Sequence, residues 1–155
     1  MPAEVSPGFA VVTISAGGAQ IPGRVNIAAS YPHLIKLNDS SLGAAYLRRQ
    51  LGEEVSYDPL FTTDDSGAIV AVPLEVRGGE ETVLTVVGSG LGSGKNVTAS
   101  IGGVAADVRS FGPQGDGGMD QYDIVIPATL DVHGKVLVNV SVDGTVSNPV
   151  HIVVQ

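Results

Sequence analysis

VTASIGGVAADVRSFGPQGDGGMDQYDIVIP, residues Val97–Pro127, decides the fold class. Val97, Ala99 and Ile101 alternate with Thr98 and Ser100, the period of a strand with one buried face. Gly102-Gly103 then supplies the positive φ angles of a tight hairpin. Ala105–Phe111 reads as the next strand, Gly112–Gly118 as a polar loop, and Gln121–Ile126 as a third strand closed by Pro127. Short strands punctuated by glycine and proline every 8–12 residues or so are the pattern of a β-sandwich or barrel.

The pattern extends both ways. Downstream, Val136, Val138, Val140 and Val142 share one strand face, Asp143-Gly144 is a type I′ turn signal, and Val150, Ile152 and Val154 form the returning row. Upstream, Thr82–Gly88 is a strand that runs into the glycine loop Gly88–Lys95, and Ala68–Val76 is a strand interrupted by Pro73. Glu54–Phe61 alternates, with Pro59 marking an edge or a bulge. Ser40–Leu51 supports either a short helix capped by Ser40 or a strand at Ala44–Arg49. Helix is expected in under about a tenth of the chain.

The first hairpin repeats the last. Phe9–Ala16 and Arg24–Ala29 flank Gly17-Gly18 and the turn at Pro22-Gly23, and Val12–Ala29 aligns with Val138–Val154 with one extra residue. Val12 falls on Val138, Ile14 on Val140, Val25 on Val150 and Ile27 on Ile152. Phe9–Ser30 therefore reads as the closing hairpin of a module whose opening strands are not among these residues. A lone hairpin is marginal in water. Val12, Ile14, Val25 and Ile27 must find cover, either against Ala44–Val76 or on another molecule, and they are the candidate interaction residues.

Composition narrows the function. The 155 residues carry a net charge of −8, which disfavours nucleic acid and anionic membrane surfaces. No cysteine is present, so disulfide scaffolds and thiolate metal sites are excluded. No stretch reaches the roughly 20 apolar residues of a helical membrane span. GSGLGSGK at Gly88–Lys95 lacks the glycine six positions before the lysine and the hydroxyl residue after it that a phosphate loop needs, and reads as a flexible turn. His33, His133 and His151 have no metal-ligand spacing, and His151 reads as a surface residue. No nucleophile elbow or zinc-protease motif occurs, and no cofactor is expected. Asp64-Asp65 and the set Asp116, Asp120 and Asp123 are weak calcium candidates on loops without EF-hand spacing. Asp120 and Gln121 are expected to hydrogen-bond loop amides.

Gly88-Ser89-Gly90-Leu91, Ile101-Gly102-Gly103, Gly112-Pro113-Gln114-Gly115, Asp120-Gln121, Pro127, Gly134 and Ser147-Asn148 occur in an order that resembles an IPT/TIG-type immunoglobulin-like family found at the C-termini of large exported bacterial proteins. The stretch Gly43–Leu74 follows the same family, with YLRR, SYDPLF and IVAVPLEV in the right order, and this resemblance favours the strand over the helix at Ala44–Arg49; Met119, Tyr122 and Asp123 depart from the family's usual Leu, Val and Asn. The resemblance implies an immunoglobulin-like sandwich, an extracellular or cell-surface location and no catalytic residues. The chain thus divides into a β region at 1–67, holding hairpin 9–30, and a sandwich at 68–155. The expected function is a structural, adhesive or protein-interaction module that self-associates or joins a surface assembly through strand edges. The alternative is a carbohydrate-binding module, with Tyr46, Tyr57 and Phe61, or Phe111 and Tyr122, as its aromatic platform.

Overall fold

The structure, a computed structural model, describes residues 5–76, 81–115 and 117–155. These residues form strands and loops without a helix. Two antiparallel sheets pack face to face. The first joins β3 (His33–Leu34), β4 (Ala45–Leu51), β5 (Glu54–Pro59), β8 (Glu81–Ser89), β11 (Val108–Gln114) and β12 (Met119–Val125), with the order β11-β12-β8-β4-β5 and β3 beside β8. The second joins β9 (Val97–Ile101), β10 (Val104–Ala106), β13 (Gly134–Val142), β14 (Thr145–Val146) and β15 (Val150–Val154), with β9 and β13 central. β6 (Phe61–Thr63) and β7 (Ile69–Ala71) make a small separate hairpin, and β1 (Gly8–Ala16) and β2 (Ala19–Ile27) make another.

The alternation read from sequence sets the core. Leu47, Leu84 and Ile124 lie in one cross-strand row of the first sheet, and Ala45, Val86 and Tyr122 in the next. Facing them are Ile101, Val136, Val138, Val140, Val142, Val150 and Ile152 of the second sheet, all buried. Asp143 and Gly144 take φ angles of +48° and +86°, as the type I′ turn requires.

Several elements differ from the sequence reading. The boundary between 67 and 68 cuts through one unit, because β4 pairs with both β5 and β8, and Leu34, Ala45, Leu47 and Leu60 belong to the same core as Leu84 and Ile152. The expected strand at Ala105–Phe111 is two strands in different sheets: the chain crosses at Asp107, and β11 continues through Gln114 into the expected loop. Ala68–Val76 pairs regularly only over β7; beyond Pro73 it joins the sandwich through a parallel bridge from Leu74 to Val154, through the buried Leu74 side chain, and through a hydrogen bond from the Arg49 guanidinium to the Glu75 carbonyl (2.8 Å). β2 runs through Pro22 and Gly23, since a two-stranded ribbon is all edge and an edge tolerates proline. The strand alternative over Ala44–Arg49 is the one adopted, as β4.

Asn148 ties the two sheets together. Its side-chain amide accepts a hydrogen bond from the Leu34 backbone N–H (2.8 Å) and donates one to the Leu34 carbonyl (3.0 Å), completing β3 as another strand would. Leu34 is fully buried. Asn148→Ala strands both backbone groups, at a cost of about 2–3 kcal/mol. The expected result is a clear fall in the urea midpoint that Asn148→Asp does not restore, because a carboxylate has no donor for the Leu34 carbonyl.

Candidate interaction site

The β1–β2 hairpin carries an apolar row that no other described residue covers. Its nine-pair register places Ala10, Val12, Ile14 and Ala16 opposite Val25, Gly23, Ile21 and Ala19, so one face of the ribbon is wholly apolar. Val12, Ile14, Ile21 and Val25 are 47%, 62%, 62% and 40% exposed. The other face carries Phe9, Val11, Thr13 and Ser15 against Asn26, Arg24, Pro22 and Gln20, with Phe9 exposed at its base. Arg24 is the one charged residue between positions 8 and 29. Of the four interaction candidates, only Ile27 is buried; the internal cover against Ala44–Val76 does not form. Ile21 and Phe9 join this surface beyond the sequence candidates; Pro22-Gly23 reads as the break before the returning strand, but the ribbon pairs through it and includes Ile21.

The hairpin stands on a fixed seat. The connecting segment after Ile27 lies against the loop Gly88–Lys95: Ser93 N–H donates to the Ala29 carbonyl (3.0 Å), and Tyr31 N–H to the Gly90 carbonyl (2.7 Å). Two carboxylates pin that loop. Asp120 accepts from Leu91 N–H at 2.8 Å, and Asp143 accepts from Asn96 N–H at 2.9 Å and more weakly from Lys95 N–H. The backbone bond from Asn96, with help from Lys95, holds the Asp143 carboxyl below the ordinary carboxylate range. The loop read as a flexible turn is therefore a bonded platform. Asp120 does bond a loop amide, although in this loop and not in the one that precedes it in sequence.

The other candidates do not assemble into a site. Asp120 and Asp123 are three residues apart on β12, so they project to opposite faces. Asp123 is engaged on the outer face by the hydroxyls of Thr85 (2.7 Å) and Ser110, and Asp116 lies outside the described residues. Asp64 closes its own turn, accepting from Ser66 N–H, the Ser66 hydroxyl and Ala68 N–H. Among the described residues no three His, Asp or Glu side chains converge as a metal site. His151 is buried, contrary to its surface assignment, because Ser41–Gly43 runs alongside it with backbone bonds in both directions.

Of the aromatic candidates, Tyr46 and Tyr57 meet across β4 and β5 with ring centroids 6.2 Å apart at 57°. Phe61 stands apart on the small hairpin. Tyr122 cannot serve a ligand: it is fully buried between the sheets, and its hydroxyl has no hydrogen-bond partner among the described residues. Burial first, and then the charge of Asp120, pushes its phenol up to about 12. The folded state thus favours the neutral phenol. That contribution is complete below the unfolded value near pH 10 and is lost as pH rises from there toward 12. Tyr122→Phe is expected to leave the urea midpoint at pH 8 nearly unchanged and to raise it relative to the parent at pH 11.

Neither a protein-family model nor a curated protein sequence matches the chain.

Proposed function

We propose that the protein is a non-enzymatic interaction module of an exported, cell-surface protein, joined into a larger assembly through the β1–β2 hairpin. The observation that carries this reading is the uncovered apolar row Val12, Ile14, Ile21 and Val25 on a ribbon whose connecting segment is hydrogen-bonded to the sandwich. Exposed contiguous apolar surface rimmed by polar residues marks interaction sites. The strand order supports an immunoglobulin-like assignment: β8, β12 and β11 on one sheet and β10, β9, β13 and β15 on the other follow the B-E-D and C′-C-F-G arrangement of such domains. The IPT/TIG-type resemblance is what supports the exported location.

Sedimentation velocity tests the reading. The full chain is expected to self-associate weakly and reversibly as concentration rises, and a chain beginning at Ala28 to remain monomeric. The cut at Ala28 keeps Leu34 and its Asn148 clasp, which are part of the sandwich core. A full chain that stays monomeric at every concentration with its hairpin amides protected from hydrogen exchange would end the proposal. The carbohydrate alternative rests on the Tyr46–Tyr57 pair, with Tyr57 exposed on the outer face; a glycan array on the parent and on Tyr57→Ala addresses it.

A further inference from the structure

Resting on that reading, we infer that the hairpin is a donor hairpin: it completes a second sandwich on another polypeptide, one whose apolar sheet lacks its own closing hairpin. The sequence repeat and the burial pattern, taken together, carry the inference. Val12, Ile14, Val25 and Ile27 repeat Val138, Val140, Val150 and Ile152. In the complete sandwich those four equivalents are at most 1% exposed, covered by the sheet that holds Leu47, Leu84, Val86 and Ile124. In the hairpin Val12, Ile14 and Val25 again share one exposed face behind the same Gly-bearing two-residue turn, with Val12 opposite Gly23 where Val138 is opposite Val150; Ile27 alone is buried, and no opposing sheet covers the other three. What the hairpin fits is therefore the inner face of an antiparallel, Val/Ile/Leu-lined sheet.

The size of the ribbon selects this occupant over a second copy of the chain. Nine residue pairs at about 3.3 Å each, with strands about 5 Å apart, give a face of roughly 300 Å². Two hairpins stacked face to face would bury roughly 600 Å², about half of what stable protein interfaces bury. A second copy's own sandwich is closed by its own β13–β15 and presents no vacant inner face. A wider sheet from an incomplete sandwich covers the apolar row, and a neighbouring strand can pair with an open edge of β1 or β2, which adds backbone hydrogen bonds to the buried area, as in strand complementation.

The probe is residues 33–133 of this protein, its own sandwich without the closing hairpin, diluted from denaturant together with the full chain. A synthetic peptide of residues 134–155 serves as the control donor. The expected result is a one-to-one complex of fragment and full chain, at least tenfold tighter than the self-association of the full chain, with the amides of Val12, Ile14 and Val25 newly protected from exchange. Ile14→Asp in the full chain should abolish the complex. A fragment that takes up the control peptide but not the hairpin overturns the inference while leaving the interaction reading standing. So does failure of both donors, because the mode then fails for the sandwich that the hairpin repeats. Tight homodimers with protected hairpins overturn it in favour of a second copy. A full chain that neither self-associates nor takes up the fragment removes the interaction reading as well.

Discussion

Val140→Asp is expected to abolish cooperative folding, whereas the same change at its repeat partner, Ile14→Asp, should leave the thermal transition within a degree or two of the parent. Val140 is 1% exposed between the sheets, paired with Ala99 on β9 and surrounded by the valine row. Burying an unpaired carboxylate there costs several kcal/mol, against a total stability of about 5–15 kcal/mol for a domain of this kind. Ile14 is 62% exposed and contributes nothing to that core. Circular dichroism melts of the two variants therefore measure whether the hairpin is an independent appendage. If Ile14→Asp unfolded the chain as Val140→Asp does, the hairpin would have to be packed internally, and the proposed interaction face would not exist.

The second large effect is expected at Gly90. Its φ is +82°, and a Cβ built there would lie 1.9 Å from the Tyr31 carbonyl oxygen. An alanine would meet both the left-handed backbone penalty of about 1–2 kcal/mol and an overlap with main chain that cannot rotate away. Gly92, at +58° with Ala29 O 2.1 Å from the same construction, is the neighbouring contact. Gly90→Ala is expected to cost about 3 kcal/mol or more, a fall of roughly 10 °C in melting temperature. It should also speed hydrogen exchange at Tyr31 and Ser93, whose amides bond across this contact. Gly112→Ala is the control: its φ is not in the left-handed region and no atom lies within 4 Å of the added Cβ, so it should be close to neutral. Equal effects at both positions would show that the loop is not a specific seat.

These two predictions also mark how far the sequence could be read. The alternation in Val97–Ile101, Val136–Val142 and Val150–Val154 was legible because period-two burial leaves a direct trace in residue type. The shared face of Val12, Ile14 and Val25 was legible for the same reason, whereas Ile21, hidden before Pro22-Gly23, was not, and Ile27 is buried. Long-range pairings left no such trace. Nothing local in YLRR or SYDPLF says that β4 will lie beside β8, about 35 residues later in the chain. The crossing at Asp107 passes between sheets without a glycine or proline to announce it. Gly90 and Gly92 looked like flexibility because a glycine required by close approach and a glycine in a mobile loop are written with the same letter. Asn148, quoted only as part of a family pattern, has a local reason that becomes visible once Leu34 is seen beside it.

The last strand bears on how the molecule would carry load. β15 is bonded to β13 along one side over Val150–Val154. On its other side Ser41 and Gly43 bond to His151, and Leu74 bonds to Val153 and Gln155. Tension applied at the C-terminus along the strand would run perpendicular to all of these bonds, so they share the force and must shear together. A strand gripped on one side only, peeled from its end, would open one bond at a time. Pulled from this end, the sandwich would thus resist as a unit, and if the proposed assembly forms, slippage would begin at the hairpin rather than at β15.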